Sequence, residues 1–217
     1  SRLETNSERM ANLPAALRKR LVEEAVLRPF VLVSERESRD GQTKKVLLSA
    51  RDGALVESVL MRYERRSTVC VSTQVGCSIG CAFCATGQSG FERNLSPGEI
   101  AGQVLYFARE LAVQDAQVTN VVFMGMGEPL LNYEAVLKAV AILSDENGLN
   151  MGARRFTLST AGYVPGIERL SNDGTQMGLA ISLHAPDDAL RSRLVPLNDR
   201  YPLSTLIPAV QAFAQKT

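Results

Sequence analysis

Apolar positions in the first third of the chain recur first at helical and then at strand spacing. Between residues 7 and 26 they repeat as on one face of a helix, which predicts one or two short helices. Three β-rich runs follow, separated by Asp-Gly pairs at 40–41 and 52–53 that are typical of hairpin turns. Residues 1–66 are therefore expected to form an incomplete N-terminal accessory segment of helix and antiparallel hairpin. The predicted strands are residues 30–33, 45–50 and 54–61.

After residue 66 the pattern changes to β-branched runs that alternate with amphipathic helices. The runs are almost continuously apolar, which is typical of parallel strands buried on both faces. Four strand and helix units in succession predict an α/β fold with a parallel sheet over residues 67–217, either doubly wound or part of a barrel. The last apolar helical stretch, residues 203–213, has no closing strand, so we expect this core to be C-terminally incomplete. The predicted strands are residues 68–74, 118–124, 155–159 and 178–183, and the helices are residues 97–112, 132–143 and 164–170.

Composition and charge narrow the class of protein. The 217 residues are 45% hydrophobic and carry a formal net charge of +1, which excludes a disordered polyelectrolyte. No run of about 18 apolar residues occurs, and the first 20 residues are polar, so we expect a cytoplasmic protein without a membrane partner. Because the net charge is near zero, the surface as a whole would not attract nucleic acid, and any nucleic acid would have to bind local basic patches.

All four cysteines lie within fifteen residues, and Cys77, Cys81 and Cys84 form a C-x3-C-x2-C motif. Three thiolates in this spacing can converge on one inorganic cluster, and they leave one iron of a four-iron cluster open for catalysis. The alternatives are a tetrahedral zinc site completed by His184 or Cys70, and a thioredoxin-like redox pair. We favour the cluster because zinc sites commonly use two C-x2-C units, and because a redox pair leaves the third cysteine unexplained.

The cysteine motif lies among longer characteristic sequence words, which are residues 70–77 (CVSTQVGC), 84–87 (CATG), 93–95 (RNL), 125–132 (GMGEPLLN) and 182–186 (SLHAP). Together they resemble the RlmN and Cfr family of radical S-adenosylmethionine RNA adenine methyltransferases. The resemblance runs from about residue 52 to residue 201. It implies a partial (βα)6 barrel of the radical-SAM, TIM-like type, in which the three motif cysteines hold a 4Fe-4S cluster. The open iron would chelate S-adenosylmethionine, which serves as radical source and as methyl donor.

The resemblance also implies roles for single residues at the cofactor. Gly127 and Glu128 match a motif that contacts the amino group of S-adenosylmethionine, and a carboxylate facing an ammonium is chemically sound. Ser159 matches a ribose contact at the end of the third strand, and three residues at the end of the fourth strand match contacts on the adenosine side. These positions follow the carboxyl ends of strands, where barrel sites form. The implied cofactor-binding residues are Gly127, Glu128, Ser159, Ser182, Leu183 and His184.

Two further residues are catalytic by the same resemblance. Glu57 matches the general base that takes a proton from adenine, and Cys70 matches the thiol that releases the product by forming a disulfide bond. In this scheme a second S-adenosylmethionine first methylates a C-terminal cysteine. The 5′-deoxyadenosyl radical then abstracts a hydrogen atom from that methyl group, and the resulting carbon radical adds to adenine. No cysteine follows Cys84, so this chain is expected not to complete turnover. Taken alone, Glu57 is more often a solvated glutamate on an edge strand, and Cys70 is equally a buried strand residue.

The implied substrates are 23S rRNA and tRNA, with carbon 2 of adenine favoured over the carbon 8 that Cfr relatives methylate. The implied partners are a reductant such as flavodoxin or ferredoxin, and the implied state is a monomer. Another radical-SAM enzyme acting on a protein, or a zinc-stapled RNA-binding module, stays open as an alternative. Basic residues that could contact phosphate are Arg62, Arg65, Arg66, Arg93, Arg154, Arg155, Arg191, Arg193 and Arg200, with Arg18, Lys19 and Arg20 as a further patch.

Overall fold

The computed structural model describes residues 3–4 and 6–216. The strands are β1 (Phe30–Glu37), β2 (Thr43–Ala50), β3 (Leu55–Tyr63), β4 (Arg66–Cys70), β5 (Gln74–Gly76), β6 (Phe91–Asn94), β7 (Asn120–Phe123), β8 (Phe156–Thr160) and β9 (Gly178–Ile181). The helices are α1 (Ala15–Glu24), α2 (Ala85–Gln88), α3 (Pro97–Val113), α4 (Tyr133–Ser144), α5 (Val164–Asn172), α6 (Asp188–Leu194) and α7 (Leu203–Lys216). Four single 3-10 turns accompany them at Ser7–Arg9, Pro129–Asn132, Ala153–Arg155 and Pro196–Asp199.

Seven of the strands form one mixed sheet in the order β1-β2-β3-β4-β7-β8-β9. Strands β1 to β4 form an antiparallel meander, whereas β4, β7, β8 and β9 are parallel. The predicted α/β fold with a parallel sheet is confirmed. Strand β4 pairs with β3 on one side and with β7 on the other, so hydrogen bonding continues across the division predicted between residues 66 and 67. That division into an accessory segment and a core stays a prediction.

Helices cover one face of this sheet, and the other face is more accessible. On the covered face Leu60, Val69, Val121 and Phe156 are fully buried in a single hydrophobic core. On the opposite face the residues of β7 and β8 are only half-buried, and both strands alternate regularly between the two classes, whereas Thr68 of β4 is buried. The expectation of strands buried on both faces is therefore wrong for β7 and β8. Their half-buried face includes β-branched residues such as Val122.

Helix α3 shows how local sequence signals position the core. Ser96 caps its first turn in a capping box with Glu99, and Pro97 occupies the first helical position. Its apolar face packs into the hydrophobic core, and its observed bounds agree with the prediction of residues 97–112. The buried Gln103 interrupts this apolar face, and its amide bonds both backbone groups of Ser72 at 2.8 and 2.9 Å. The helix thereby supplies hydrogen-bond partners for the backbone of Ser72, which has left the sheet.

The predicted strand over residues 68–74 is divided in two by the structure. Strand β4 ends at Cys70, and Val71 still bonds Val122 O and Gly125 N beside β7, each at 3.0 Å. Ser72 and Thr73 then lead away from the sheet to β5. They turn because Thr73 bonds other partners: its N–H donates to Met126 O at 2.8 Å, and its carbonyl accepts from Leu95 N at 3.0 Å. The hairpin of β5 and β6 and the short helices α2 and α6 have no counterpart among the predicted elements.

The helices differ in how much surface they bury. Helix α1 has the predicted helical spacing of apolar residues, yet none of its residues is buried. Helix α7 buries Leu206, Ala209 and Phe213 and packs against α5. Among residues 3–4 and 6–216, we find no helix with both the length and the apolar character needed to cross a bilayer.

We expect the substitution Gln103→Leu to lower the free energy of unfolding by about 2 to 4 kcal/mol, because it leaves the buried N–H and C=O of Ser72 without partners. Urea denaturation followed by circular dichroism measures this loss. Gln114→Leu, at the exposed end of the same helix, is the matched control and should leave stability nearly unchanged. Equal stability of the two variants would contradict the role assigned to the Gln103 amide.

Candidate active site

The three motif cysteines lie on the loop that joins β5 to β6. Backbone hydrogen bonds shape this loop: Cys77 N donates to Gly90 O at 2.9 Å, and Cys84 N donates to Cys81 O at 3.0 Å. The side chains of Cys77, Cys81 and Cys84 all line one cavity of about 320 Å³. The loop therefore directs three thiols toward the same space, as the motif predicts.

Burial and nearby acidic groups make the thiols of Cys77 and Cys81 costly to ionise without a cation. Burial raises the pKa of Cys77, and the nearby Glu128 and Cys84 raise it further. Burial also raises the pKa of Cys81 to about 11, with Cys77 and Cys84 adding to the effect. A bound metal group favours the thiolate form and removes this cost. The donor set thus fits a cationic, thiolate-ligated group.

The arrangement fits a cluster better than a single ion. Within the part of the chain that the structure describes, no three His, Cys, Asp or Glu side chains form a set that could hold one metal ion. The three cysteines instead surround a cavity, which suits ligands that each bind a different iron. Cys70 does not line this cavity, and the His184 ring packs on Phe83 with centroids 4.4 Å apart. Among the described residues, neither of them forms with the three cysteines a set that could hold one metal ion.

Two glycines after β7 let the chain pass against the segment that links β4 to β5. A Cβ on Gly125 would lie 2.7 Å from Ser72 Oγ, and one on Gly127 would lie 2.6 Å from Gln74 Cβ. Gly127 also has a positive φ of 100°, which favours glycine. Both glycines line the cavity, so the close approach of two chain segments forms part of its wall.

Glu128 closes the same wall with a buried carboxylate. Its side chain bonds main-chain groups from two places: Oε1 accepts from Leu130 N at 3.1 Å, and Oε2 accepts from Ala161 N at 2.8 Å. Only 3% of the residue is exposed, and burial raises the pKa of the carboxyl above its ordinary value, although these bonds act against the rise. Glu128 lines the predicted cofactor cavity and at the same time holds the end of β8.

The predicted adenosine-side residues meet at the carboxyl ends of β8 and β9. The hydroxyls of Ser159 and Ser182 lie 3.3 Å apart, and both serines line the cavity together with His184. His184 adopts a left-handed backbone with φ of 62°. Leu183 is not a lining residue, and its carbonyl accepts a hydrogen bond from Arg191 Nε at 3.1 Å. Five of the six predicted cofactor residues therefore line the cavity: Gly127, Glu128, Ser159, Ser182 and His184.

Glu57 and Cys70 lie outside this cavity, on β3 and β4. The half-exposed carboxylate of Glu57 bonds Lys45 Nζ at 2.8 Å. Its main chain is tied to neighbouring segments, since Glu57 O accepts from Ser72 Oγ at 2.6 Å. Cys70 is a free thiol, as are the three motif cysteines, and burial raises its pKa to about 11. The predicted thiolate chemistry of Cys70 therefore starts from a protonated thiol at neutral pH.

Comparison with known proteins decides the family. Residues 71–216, about two thirds of the chain, match the model of the Radical SAM superfamily. The chain belongs to this superfamily. The C-x3-C-x2-C motif and the strand ends that surround it lie inside the matched range.

Relatives within the radical SAM superfamily carry methyltransferase names. The "Probable dual-specificity RNA methyltransferase RlmN" of Desulfitobacterium hafniense (strain Y51) is 50% identical over 98% of this chain and 61% of its own length. The relative of the same name from Chloroflexus aurantiacus is 51% identical over 97% of this chain and 57% of its own length. The crystal structure of a radical SAM methyltransferase from Sphaerobacter thermophilus matches with a TM-score of 0.95 and 49% identity, over 99% of this chain and 63% of that one. The chain thus spans less than two thirds of these relatives, and the predicted resemblance to the RlmN and Cfr family is confirmed at this level.

The predicted phosphate contacts of this radical SAM chain are only partly available. Arg191 is fully buried, so its prediction as an RNA contact is wrong. Arg62 forms ion pairs with Glu37 and Glu110, and these carboxylates compete with phosphate for its guanidinium group. Arg93 likewise pairs with Asp52 and Glu99. The predicted arginines that remain exposed are Arg65, Arg66, Arg154, Arg155, Arg193 and Arg200.

Several residues that shape the radical SAM cavity were not predicted. The sequence predicts Arg191 as a surface charge, because its local pattern does not indicate helix α6. Gln74 accepts from Glu128 N at 2.8 Å, and Asn132 donates to Thr73 O at 2.8 Å, both from buried positions. Gln74 lies in the word of residues 70–77, and Asn132 lies in the word of residues 125–132. A polar residue within an otherwise apolar stretch is the sequence signal that could have indicated their role.

We expect Cys70 of the folded apoprotein to react slowly with iodoacetamide at about pH 8, because a pKa of about 11 leaves only about one thiol in a thousand ionised. The rate should rise about tenfold per pH unit to at least about pH 10. Mass spectrometry of the peptide that contains Cys70 measures it. The control is the same chain in urea, where an ordinary thiol pKa of about 8.5 gives faster labelling. A rate that levels off below about pH 9 in the folded chain would contradict the raised pKa.

Proposed function

We propose that this chain is the catalytic core of a radical SAM methyltransferase that methylates carbon 2 of an adenosine in 23S rRNA, and an adenosine in tRNA. The observation that carries the proposal is the convergence of Cys77, Cys81 and Cys84 on the cavity that Ser159 and Ser182 also line. The names of the RlmN relatives support the RNA substrate and the dual specificity. The sequence words around Cys70 favour carbon 2 over carbon 8.

The residues of the cavity fit the two cofactors of the proposal. When bound, a 4Fe-4S cluster and S-adenosylmethionine supply the one-electron chemistry and the methyl group. Cys77, Cys81 and Cys84 would hold the cluster as thiolates. The adjacent hydroxyls of Ser159 and Ser182 can donate to or accept from the ribose of S-adenosylmethionine. Phe83 and His184 form a paired aromatic wall at the same cavity.

The residues beside the cavity suit the substrate side of the reaction. Glu57 would take the proton from adenine, and its carboxylate bonds Lys45 Nζ at 2.8 Å on the accessible surface of β3. Cys70 would form the product-releasing disulfide with a methyl-carrying cysteine. Because no cysteine follows Cys84, that residue would come from the part of the relatives that this chain does not span. A flavodoxin or ferredoxin as reductant, a monomeric state and a cytoplasmic location complete the proposal.

We expect the anaerobically reconstituted chain to bind about four iron and four sulfide per molecule and to cleave S-adenosylmethionine to 5′-deoxyadenosine under reduction. Cys81→Ala should lose most of the iron, because two thiolates do not retain a cluster that needs three. Iron, sulfide and zinc analysis measures the outcome. Cys70→Ala is the matched control: its thiol lies outside the cavity, so the iron content should equal that of the unsubstituted chain. Stoichiometric zinc without iron would instead support the zinc-stapled module.

The RNA substrate can be tested in a chimera in which this chain replaces the matching 61% of the Desulfitobacterium hafniense relative. We expect the chimera to produce 2-methyladenosine in 23S rRNA, measured by nucleoside mass spectrometry in a host without its own enzyme. Glu57→Gln should lower the product about 100-fold or more, because it removes the proposed general base. Glu64→Gln, an exposed glutamate just after β3, is the control and should leave the product unchanged. Formation of 8-methyladenosine would refute carbon 2.

A further inference from the structure

The main chain of Ala161, immediately after β8, is held on both sides by buried charged side chains. Ala161 N donates to Glu128 Oε2 at 2.8 Å, and Ala161 O accepts from Arg191 Nη2 at 2.5 Å. Glu128 is 3% exposed and Arg191 is 0% exposed. Two charges of opposite sign are therefore linked through the backbone of one residue, and this residue borders the cavity.

Arg191 also holds two other parts of the chain. Its Nε donates to Leu183 O at 3.1 Å, and its Nη1 donates to Asn198 Oδ1 at 2.6 Å. Asn198 is itself fixed by Asp188 Oδ1 and by Ser192 Oγ, each at 3.0 Å. One guanidinium thus joins the end of β8, the end of β9 and the turn after α6.

Helix α6, which carries Arg191, contacts the cysteine loop as well. Ala82 N, between Cys81 and Cys84, donates to Leu194 O in the last turn of α6 at 2.9 Å. The helix therefore lies between the loop that carries the thiols and the two strand ends that carry the serines. A displacement of α6 would move these two sets of cavity residues relative to each other.

Arginine suits this position better than other polar side chains. Its planar group offers five donors in a fixed geometry, whereas a lysine ammonium is a compact point charge that cannot span separated acceptors in the same way. A buried charge is costly unless its hydrogen bonds are satisfied. Here the three hydrogen bonds go to two backbone carbonyls and an amide oxygen. Such a costly arrangement is difficult to explain by stability alone, since apolar packing could fill the same space.

We propose that Glu128, Ala161 and Arg191 form a strand-end clamp that sets the positions of Ser159, Ser182 and His184 for binding S-adenosylmethionine. Arg191 is then a positioning residue, which acts on the cofactor through the two carbonyls that it holds. Ser159 precedes Ala161 by two residues, and Ser182 and His184 flank Leu183. This inference rests on the proposed function for the identity of the ligand, whereas the clamp itself can be observed without any ligand.

The test compares the reconstituted chain with Arg191→Gln, Arg191→Lys and the control Arg193→Gln. Arg193 lies on the same helix but is exposed. We expect Arg191→Gln to weaken the binding of S-adenosylmethionine about tenfold in equilibrium dialysis, with unchanged iron and sulfide content and unchanged circular dichroism. Arg191→Lys should show a smaller loss, because lysine retains the charge and part of the bonding. Arg193→Gln should bind like the unsubstituted chain.

Amide hydrogen exchange of the apoprotein gives a readout that does not depend on the cofactor. We expect the Ala161 amide to exchange about tenfold faster in Arg191→Gln than in the unsubstituted chain or in Arg193→Gln, because the β8 end is released. If the unsubstituted chain binds no iron, the proposed function fails while this exchange result still decides whether the clamp exists.

Three outcomes would overturn the proposal. The first is unchanged affinity for S-adenosylmethionine in a folded, fully loaded Arg191→Gln. The second is loss of fold or of iron in both Arg191 variants, which would show that the residue serves overall stability alone. The third is unchanged exchange of the Ala161 amide, which would show that Arg191 does not restrain the end of β8.

Discussion

Parallel strands that end inside a protein leave buried main-chain groups without ladder partners, and these groups must be satisfied by other means. In this chain, buried polar side chains do so at each strand end near the cavity. Gln103 bonds both backbone groups of Ser72, Asn132 bonds the carbonyl of Thr73, and Glu128 and Arg191 hold Ala161. The wall of the cavity exists because these side chains allow the strand ends to separate from the sheet without losing hydrogen bonds.

This requirement explains why the cavity is assembled from distant segments of the chain. The thiols come from the loop after β5, the close glycine contact from the loop after β7, and the serines from the ends of β8 and β9. Helix α6 links these parts, through Arg191 to the strand ends and through Leu194 to Ala82 in the cysteine loop. The relative placement of cluster ligands and cofactor contacts therefore depends on one short helix.

The electrostatics divide the region into a cation-binding part and a more open part. Around the thiols, burial raises the pKa values of Cys77 and Cys81, so a metal group with positive charge is a suitable partner. On the accessible face of the sheet, Glu57 instead pairs with Lys45 near solvent, and Cys70 stays a protonated thiol at neutral pH. The cysteine cavity and the pair formed by Glu57 and Lys45 thus lie on electrostatically different surfaces of the chain.

The sequence by itself determined the features that depend on short-range interactions. The capping box of α3, the alternation of parallel strands with helices and the three cysteines on one loop are all encoded within a few residues. Only the tertiary structure decided that strands β7 and β8 are half-accessible on one face, that the chain turns away after Val71, and that Arg191 is buried rather than available to RNA. Those features result from contacts between residues that are about 10 to 60 positions apart, such as Arg191 with Ala161 and Ser72 with Met126. Local periodicity contains no record of such pairings, because the hydrogen bonds that stabilise them form only when separate segments have packed together.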